Sequence, residues 1–330
     1  MTEPRSTRTR ARSAKLVPPP VNGHRPGPVG LARPSDSPRI DGRTPVEPER
    51  PPDVWDTRVA GALAFLRRRL TGQYEVDEFG FDPELTDAVL YPLLRLAYRC
   101  YFRVEAHGVA NLPRSGSALI VANHSGTLPI DAYMLTLAVH DEHPDRRHLR
   151  LLGADLAFRL PVLSEFGRKT GTTLACNPDA ERLLRKGELV GVFPEGFKGI
   201  GKPYRSRYQL QRFGRGGFVS AALRTGAPII PASIIGAEEI YPIIGNLKPL
   251  ARIAGIPYFP VTPTFPWLGP LGLLPLPSKW HIQFGEPIDT TDYAGDADDP
   301  IVVFNLADQV RETIQHTLTR MLKRRPDPFI

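Results

Sequence analysis

The sequence predicts an α/β protein with a mixed, mostly parallel sheet flanked by helices, preceded by amphipathic helices and a basic N-terminal tail. Three observations lead there. Beyond Tyr101, short apolar runs bounded by Gly, Pro and Asn alternate with stretches of helical period, the texture of strands feeding helices. Just before Tyr101 the apolar residues recur at helical spacing instead. Up to about residue 52, Pro, Arg and Ser dominate and large apolar side chains are scarce, so ordering entropy has nothing to offset it. Three regions follow: a disordered Pro/Arg-rich tail over 1–52, amphipathic helices over 53–101, and one large body over 102–330.

The tail carries Arg5, Arg8, Arg10, Arg12 and Lys15 with no apolar run behind them, which excludes a secretory signal. It reads either as an electrostatic tether to anionic lipid or as a solvated tail. From Asp53, a helix cap, Trp55, Val59, Leu63, Leu66 and Leu70 keep helical spacing, and Arg67, Arg68 and Arg69 suit the dipole near its end. Asp82 and Pro83 open a second helix whose apolar positions are Leu85, Val89, Leu93, Leu94, Leu96 and Ala97. Either helix could lie on a bilayer or pack on the body.

Strands are predicted over 102–106, 118–122, 149–152, 171–175, 189–193, 229–234 and 281–284, with helices over 130–139, 178–186 and 217–224 between them. A last helix starts at Asp299 and Pro300. Its face of Val303, Leu306, Val310, Ile314, Leu318 and Met321 predicts a cover for the sheet. The stretch from Ile253 to Ser278 is uncharged but interrupted by Pro257, Pro260, Pro263, Pro266, Pro270, Pro275 and Pro277, which rules out a spanning helix. Its Tyr258, Phe259, Phe265, Trp267, Leu271, Leu273 and Leu274 fit a loop that enters the membrane interface, lines an acyl tunnel, or is buried in the core.

A net charge of +7 favours anionic partners, whether phospholipid surfaces, nucleic acid or phosphorylated cofactors. No nucleic-acid motif is present, so nucleic acid is not the expected partner. Only two cysteines occur, Cys100 and Cys176, without zinc spacing. That predicts a reducing, cytoplasmic location and no metal.

The chemistry concentrates in two places. The run Ala118 to Ala122 ends in Asn123, His124, Ser125 and Gly126, and Pro129 then opens a helix whose first turn holds Asp131. A histidine just past a strand end, with a single acid within reach, suits general-base catalysis. The run Leu189 to Phe193 leads into Pro194, Glu195 and Gly196. Beyond it come Lys198, Lys202, Arg205, Arg207, Arg212, Arg215 and Arg224 with no acid before Glu238, a set matched to phosphate groups.

Together the two motifs resemble the signatures of the glycerolipid and lysophospholipid acyltransferases: an Asn-His followed by an Asp, then a Phe-Pro-Glu-Gly. The likeness spans about Phe102 to Asp289 and includes Pro228, Ile229, Ile230 and Pro231. It implies an αβ sandwich, an acyl-CoA or acyl carrier protein as donor, no bound cofactor, and a lyso or partial glyceride as acceptor. It also implies His124 as general base, Asp131 orienting it, Glu195 holding acceptor hydroxyls, and substrate contacts from Asn123, Ser125, Gly126, Phe193, Pro194, Gly196, Lys198, Arg205 and Arg207. The oxyanion would sit on backbone N–H groups near Gly126 or Gly196.

Six residues separate His124 from Asp131 where the usual pattern has four, and the form Asn-His-Ser-Gly then Leu-Pro-Ile-Asp is more similar to the mono- and diacylglycerol acyltransferase branch. The family's intermediate arginine motif has no clear counterpart, Arg168 and Lys169 standing nearest. A peripheral enzyme on the inner face of the cell membrane is the resulting expectation. The alternatives are a lipid thioesterase or hydrolase, or a non-catalytic basic protein that binds lipid surfaces. Gly196 to Lys202 nearly spells a phosphate-binding loop, but Pro203 supplies neither the hydroxyl nor the donor such a loop requires. No G-x-S-x-G elbow is present.

Overall fold

A computed structural model describes residues 54–330 apart from 156, 157, 159, 160, 215, 294, 326 and 330, so the expected tail over 1–52 lies outside the described residues. The chain divides into two units, Met1–Gly61 and Ala62–Ile330. Of the first, the structure describes the opening turns of helix α1 (Val54–Thr71). The second unit carries the sheet and the site.

Within that unit, Arg68 and Arg69 near the end of α1 do more than complement a dipole. Arg69 grips the buried Asp82 and Arg68 grips Glu84. Asp82 also caps the next helix, accepting from the Leu85 N–H at 2.9 Å. That helix, α2 (83–101), is α-helical with two wide π turns, Thr86–Leu90 and Ala97–Tyr101. Each π turn takes an extra residue and shifts the phase of the buried face. The core therefore receives Tyr91, Tyr98, Leu90, Leu94 and Ala97, whereas Val89, Leu93 and Leu96, expected on the buried stripe, stand exposed.

The seven-stranded sheet has the order β1-β9-β6-β2-β5-β3-β4, built from β1 (Glu105–His107), β2 (Ala118–Ala122), β3 (Leu149–Gly153), β4 (Thr172–Leu174), β5 (Leu189–Val192), β6 (Ile229–Ile235) and β9 (His281–Phe284). All neighbours are parallel except β6 and β9. The first strand begins three residues late because Phe102 closes α2 by donating to the Ala97 carbonyl, and Arg103 then takes a left-handed φ of 46°. Along β2 the side chains alternate between two cores. Ala118, Ile120 and Ala122 join α2 and α3 (Ile130–Glu142), while Leu119 and Val121 join α5 (Asn177–Arg185), α7 (Gly217–Thr225) and α9 (Pro300–Arg324).

Elements that were not foreseen include helix α4 (Pro161–Lys169), helix α8 (Lys248–Ala254), and a two-stranded ribbon of β7 (Gly245–Asn246) and β8 (Pro260–Val261). The ribbon and α8 carry the start of the proline-interrupted apolar stretch. Because β2 and β5 are adjacent and parallel, with Val121 beside Val192, the loops leaving their carboxyl ends emerge side by side. That places the two motifs at one edge of the sheet, where α/β proteins build their sites.

Candidate active site

Asn123, the first residue past β2, is fully buried and clamps the neighbouring strand. Its amide donates to the Ile234 carbonyl at 2.9 Å and its oxygen accepts from the Ile234 N–H at 2.7 Å. With both ends engaged by β6, Asn123 fixes where the chain turns.

His124 follows. Its Nδ1 lies 2.8 Å from Asp131 Oδ2, which leaves Nε2 as the ring nitrogen available for chemistry. Asp131 is fully buried in the first turn of α3, and its carboxylate is held by backbone donors: Ser125 N–H at 2.8 Å on Oδ2 and Ala132 N–H at 2.9 Å on Oδ1. An acceptor-only carboxylate on Nδ1 requires the proton there, so Nε2 presents a lone pair. The imidazole packs against Phe193, ring centroids 4.6 Å apart.

Gly126 turns at φ 80°, and a Cβ there would press on the Leu128 carbonyl and Ile240. Two hydroxyls in this loop, Ser125 Oγ and Thr127 Oγ1, are buried without a hydrogen-bond partner.

Glu195 sits beneath this loop, only 3 % exposed. Its Oε1 accepts from the His124 N–H at 3.0 Å and its Oε2 from the Gln211 N–H at 2.7 Å. Each oxygen accepts from a backbone donor, so Glu195 anchors the His124 loop. Lys202 lies between Glu195 (3.4 Å) and Glu238 (3.2 Å), all three buried. With one cation for two acids, burial and the nearby Glu195 charge push the Glu238 carboxyl up to about 7.

Pro194 accepts from the Gly214 N–H, and Gly196 adopts φ 53°, ψ −140° at the head of a short helix, α6 (Phe197–Ile200). The Gly196 N–H donates to the Phe193 carbonyl at 3.0 Å, so it is not free to stabilise an oxyanion. No sequence motif marks Gly199, whose α-carbon abuts the His124 loop. A Cβ there would fall 2.8 Å from the His124 carbonyl oxygen and 3.0 Å from its Cβ. Only the folding of α6 back under His124 reveals this.

The basic run does not act as one cluster. Lys202 is buried in the triad with Glu195 and Glu238, and Arg224, in the last turn of α7, pairs with Glu181 and Asp298. Lys198, Arg205, Arg207 and Arg212 are exposed and form no ion pair among the described residues, while the Arg215 side chain lies outside them. Arg212 lines a cleft of about 270 Å³ with Phe213, Gly214, Phe304 and Arg311, adjoining the Pro194 turn through Gly214.

The Acyltransferase family model matches residues 103–235, a span that opens just before β1 and closes at the end of β6. An uncharacterized protein of Mycobacterium tuberculosis is 61% identical over 292 residues, covering 88% of this chain and 82% of its own. A human enzyme described as a DGAT1/2-independent enzyme synthesizing storage lipids is 26% identical over 64% of this chain and 59% of its own. The crystal structure of the 1-acyl-sn-glycerophosphate acyltransferase PlsC from Thermotoga maritima superposes with a TM-score of 0.50 at 18% identity, covering 82% of this chain and 90% of that one. The likeness to that structure is one of fold.

Proposed function

The chain belongs to the acyltransferase family, and on that footing we propose that it moves a fatty acyl group from acyl-CoA or acyl carrier protein to a glycerolipid hydroxyl, with His124 as general base. The observation that carries this reading is the His124 Nδ1 to Asp131 contact of 2.8 Å, on a carboxylate pinned by two backbone donors at a strand end. The acceptor hydroxyl gives its proton to Nε2 as its oxygen attacks the thioester carbonyl. The C–S bond then breaks, the thiolate takes the proton back, and no acyl-enzyme forms. Asp131 holds the tautomer and stabilises the imidazolium. Backbone donors in the Gly126 turn face the oxyanion, each contributing about 3 kcal/mol.

Substrate contacts are assigned by what the fold leaves unsatisfied. Ser125 Oγ and Thr127 Oγ1, buried and unpartnered beside the histidine, suit the polar oxygens of a glyceride backbone. Lys198, Arg205 and Arg207 remain available for phosphate groups of donor or acceptor. The names of the human relative and of the Thermotoga structure mention storage lipids and a 1-acyl-sn-glycerophosphate respectively, and the proposed acceptor class covers mono- and diacylglycerol as well as lysophospholipid.

Access to such acceptors implies a membrane surface. No helix among the described residues is long and apolar enough to cross a membrane. Beside the site, however, Ile253, Trp267, Leu271 and Leu274 are 84, 72, 67 and 64% exposed, and Tyr258 of the same region donates to the Thr127 carbonyl at 3.1 Å. No acid occurs from Ile240 to Gly285, while Lys248 and Arg252 stand exposed on α8. An apolar surface fringed with cations fits an anionic bilayer on the inner face of the cell membrane, and we assign it that partner.

The test is acyl transfer by purified His124→Ala and Asp131→Asn, with thiol release and lipid product followed over a panel of acceptors. A loss of about 10²–10⁴-fold in kcat is expected for His124→Ala. Full transfer by a folded His124→Ala protein removes the mechanism.

A further inference from the structure

A second group of chemistry-bearing side chains lies where α2, α3 and the start of β3 meet. Asp87 stands in the first π turn of α2, His140 near the end of α3, and His148 one residue before β3. His140 Nε2 is 3.5 Å from Asp87 Oδ1, and His148 Nε2 is 3.7 Å from Asp87 Oδ2. One ligand atom from each residue lies within 4.8 Å of the other two. We infer that Asp87, His140 and His148 form a zinc site that ties α2 to the body of the protein.

Spacing is the first argument. In a tetrahedral zinc site with bonds of about 2.0–2.2 Å, neighbouring donor atoms sit about 3.3–3.6 Å apart, close to the separations found here. The outer contacts are the second. His140 Nδ1 lies 2.9 Å from Asp141 Oδ1, and His148 Nδ1 lies 3.3 Å from the Tyr91 hydroxyl. Asp141 is in turn fixed by Arg95 through two contacts of 2.7 Å. Zinc-binding histidines are oriented in this way, the far nitrogen engaged and the near one aimed at the metal.

The charge around the group supplies the third argument. Asp87 has no Lys or Arg partner among the described residues. By contrast, the comparable group of Glu105, His107 and His281 already holds a cation, Lys279 Nζ, 2.8 Å from Glu105.

Two histidines and one carboxylate are a zinc donor set with one position left for water. Asp131 and His140 belong to the same helix, nine residues or about 14 Å apart along its axis, so the metal would lock the end of α3 remote from Asp131. Its effect is structural, and it is independent of the acyl-transfer reading.

The experiment uses the full chain, stripped with chelator and titrated with zinc chloride against a chromophoric competitor. Expected are uptake of one zinc per chain, a rise in Tm on loading, and visible absorption of four-coordinate cobalt when Co²⁺ replaces zinc. Asp87→Ala and His148→Ala should each weaken binding by at least about tenfold. Failure of wild type to take up one equivalent overturns the site, as does unchanged affinity in Asp87→Ala, which would mark the uptake as adventitious. If His148→Ala does not fold, Asp87→Ala decides alone, since that side chain is half exposed and removing it leaves the core intact.

Discussion

Gly199 carries no reactive group, yet it sets how closely α6 approaches His124, the proposed general base. An added methyl at 2.8 Å from both the His124 carbonyl oxygen and Glu195 Cβ has to displace one of them. Overpacking of this kind costs about 1–3 kcal/mol of stability, and an ångström of misplacement at a general base costs up to about 100-fold in rate. Gly199→Ala is therefore expected to lower kcat more than tenfold with a small change in KM and a modest fall in Tm. Steady-state kinetics beside a thermal melt check this, and an unchanged kcat would show that the loop yields freely. At this scale His124 and Asp131 were legible because one histidine, one acid and a strand end stand together in a few residues. The inward roles of Asn123 and Glu195 were not, since their partners Ile234 and Gln211 lie on other loops and strands.

Among elements, the carboxyl ends of β2 and β5 carry the site, and the chain after β6 braces it through Glu238. The Glu238 carboxyl is pushed to about 7 from an ordinary 4.5, so the folded protein keeps a proton that the unfolded chain releases between those values. Its favourable contribution is complete below about pH 4.5 and is lost as pH rises through about 7. Glu238→Gln, which stays neutral throughout, should flatten the stability profile across this window. Urea midpoints for both proteins between about pH 5 and pH 8 provide the measurement, and parallel profiles would exclude the assignment. The strands β2, β6 and β9 matched their apolar runs because each has at least one face sealed by helices or the other core. Helix α2 did not keep its predicted face, because π turns change the period from which such a face is read.

For the whole molecule, the exposed apolar surface around Trp267 is the feature proposed to meet the membrane. Each large side chain inserted in a bilayer interface is worth about 1.5–3 kcal/mol, or roughly tenfold or more in partitioning. Trp267→Ala with Leu271→Ser should weaken flotation with anionic vesicles at least tenfold while activity on a dispersed short-chain acceptor persists, and undiminished flotation would count against the surface. The sequence by itself determined the class of fold, the sites of most strands and the two motifs, because apolar period, caps and strand-end chemistry are local properties. It could not decide that β2 and β5 lie side by side, that one lysine would be shared by Glu195 and Glu238, or that Asp87 would meet two histidines. Those follow from strand order and helix packing, which join residues from separate elements through burial of a common core.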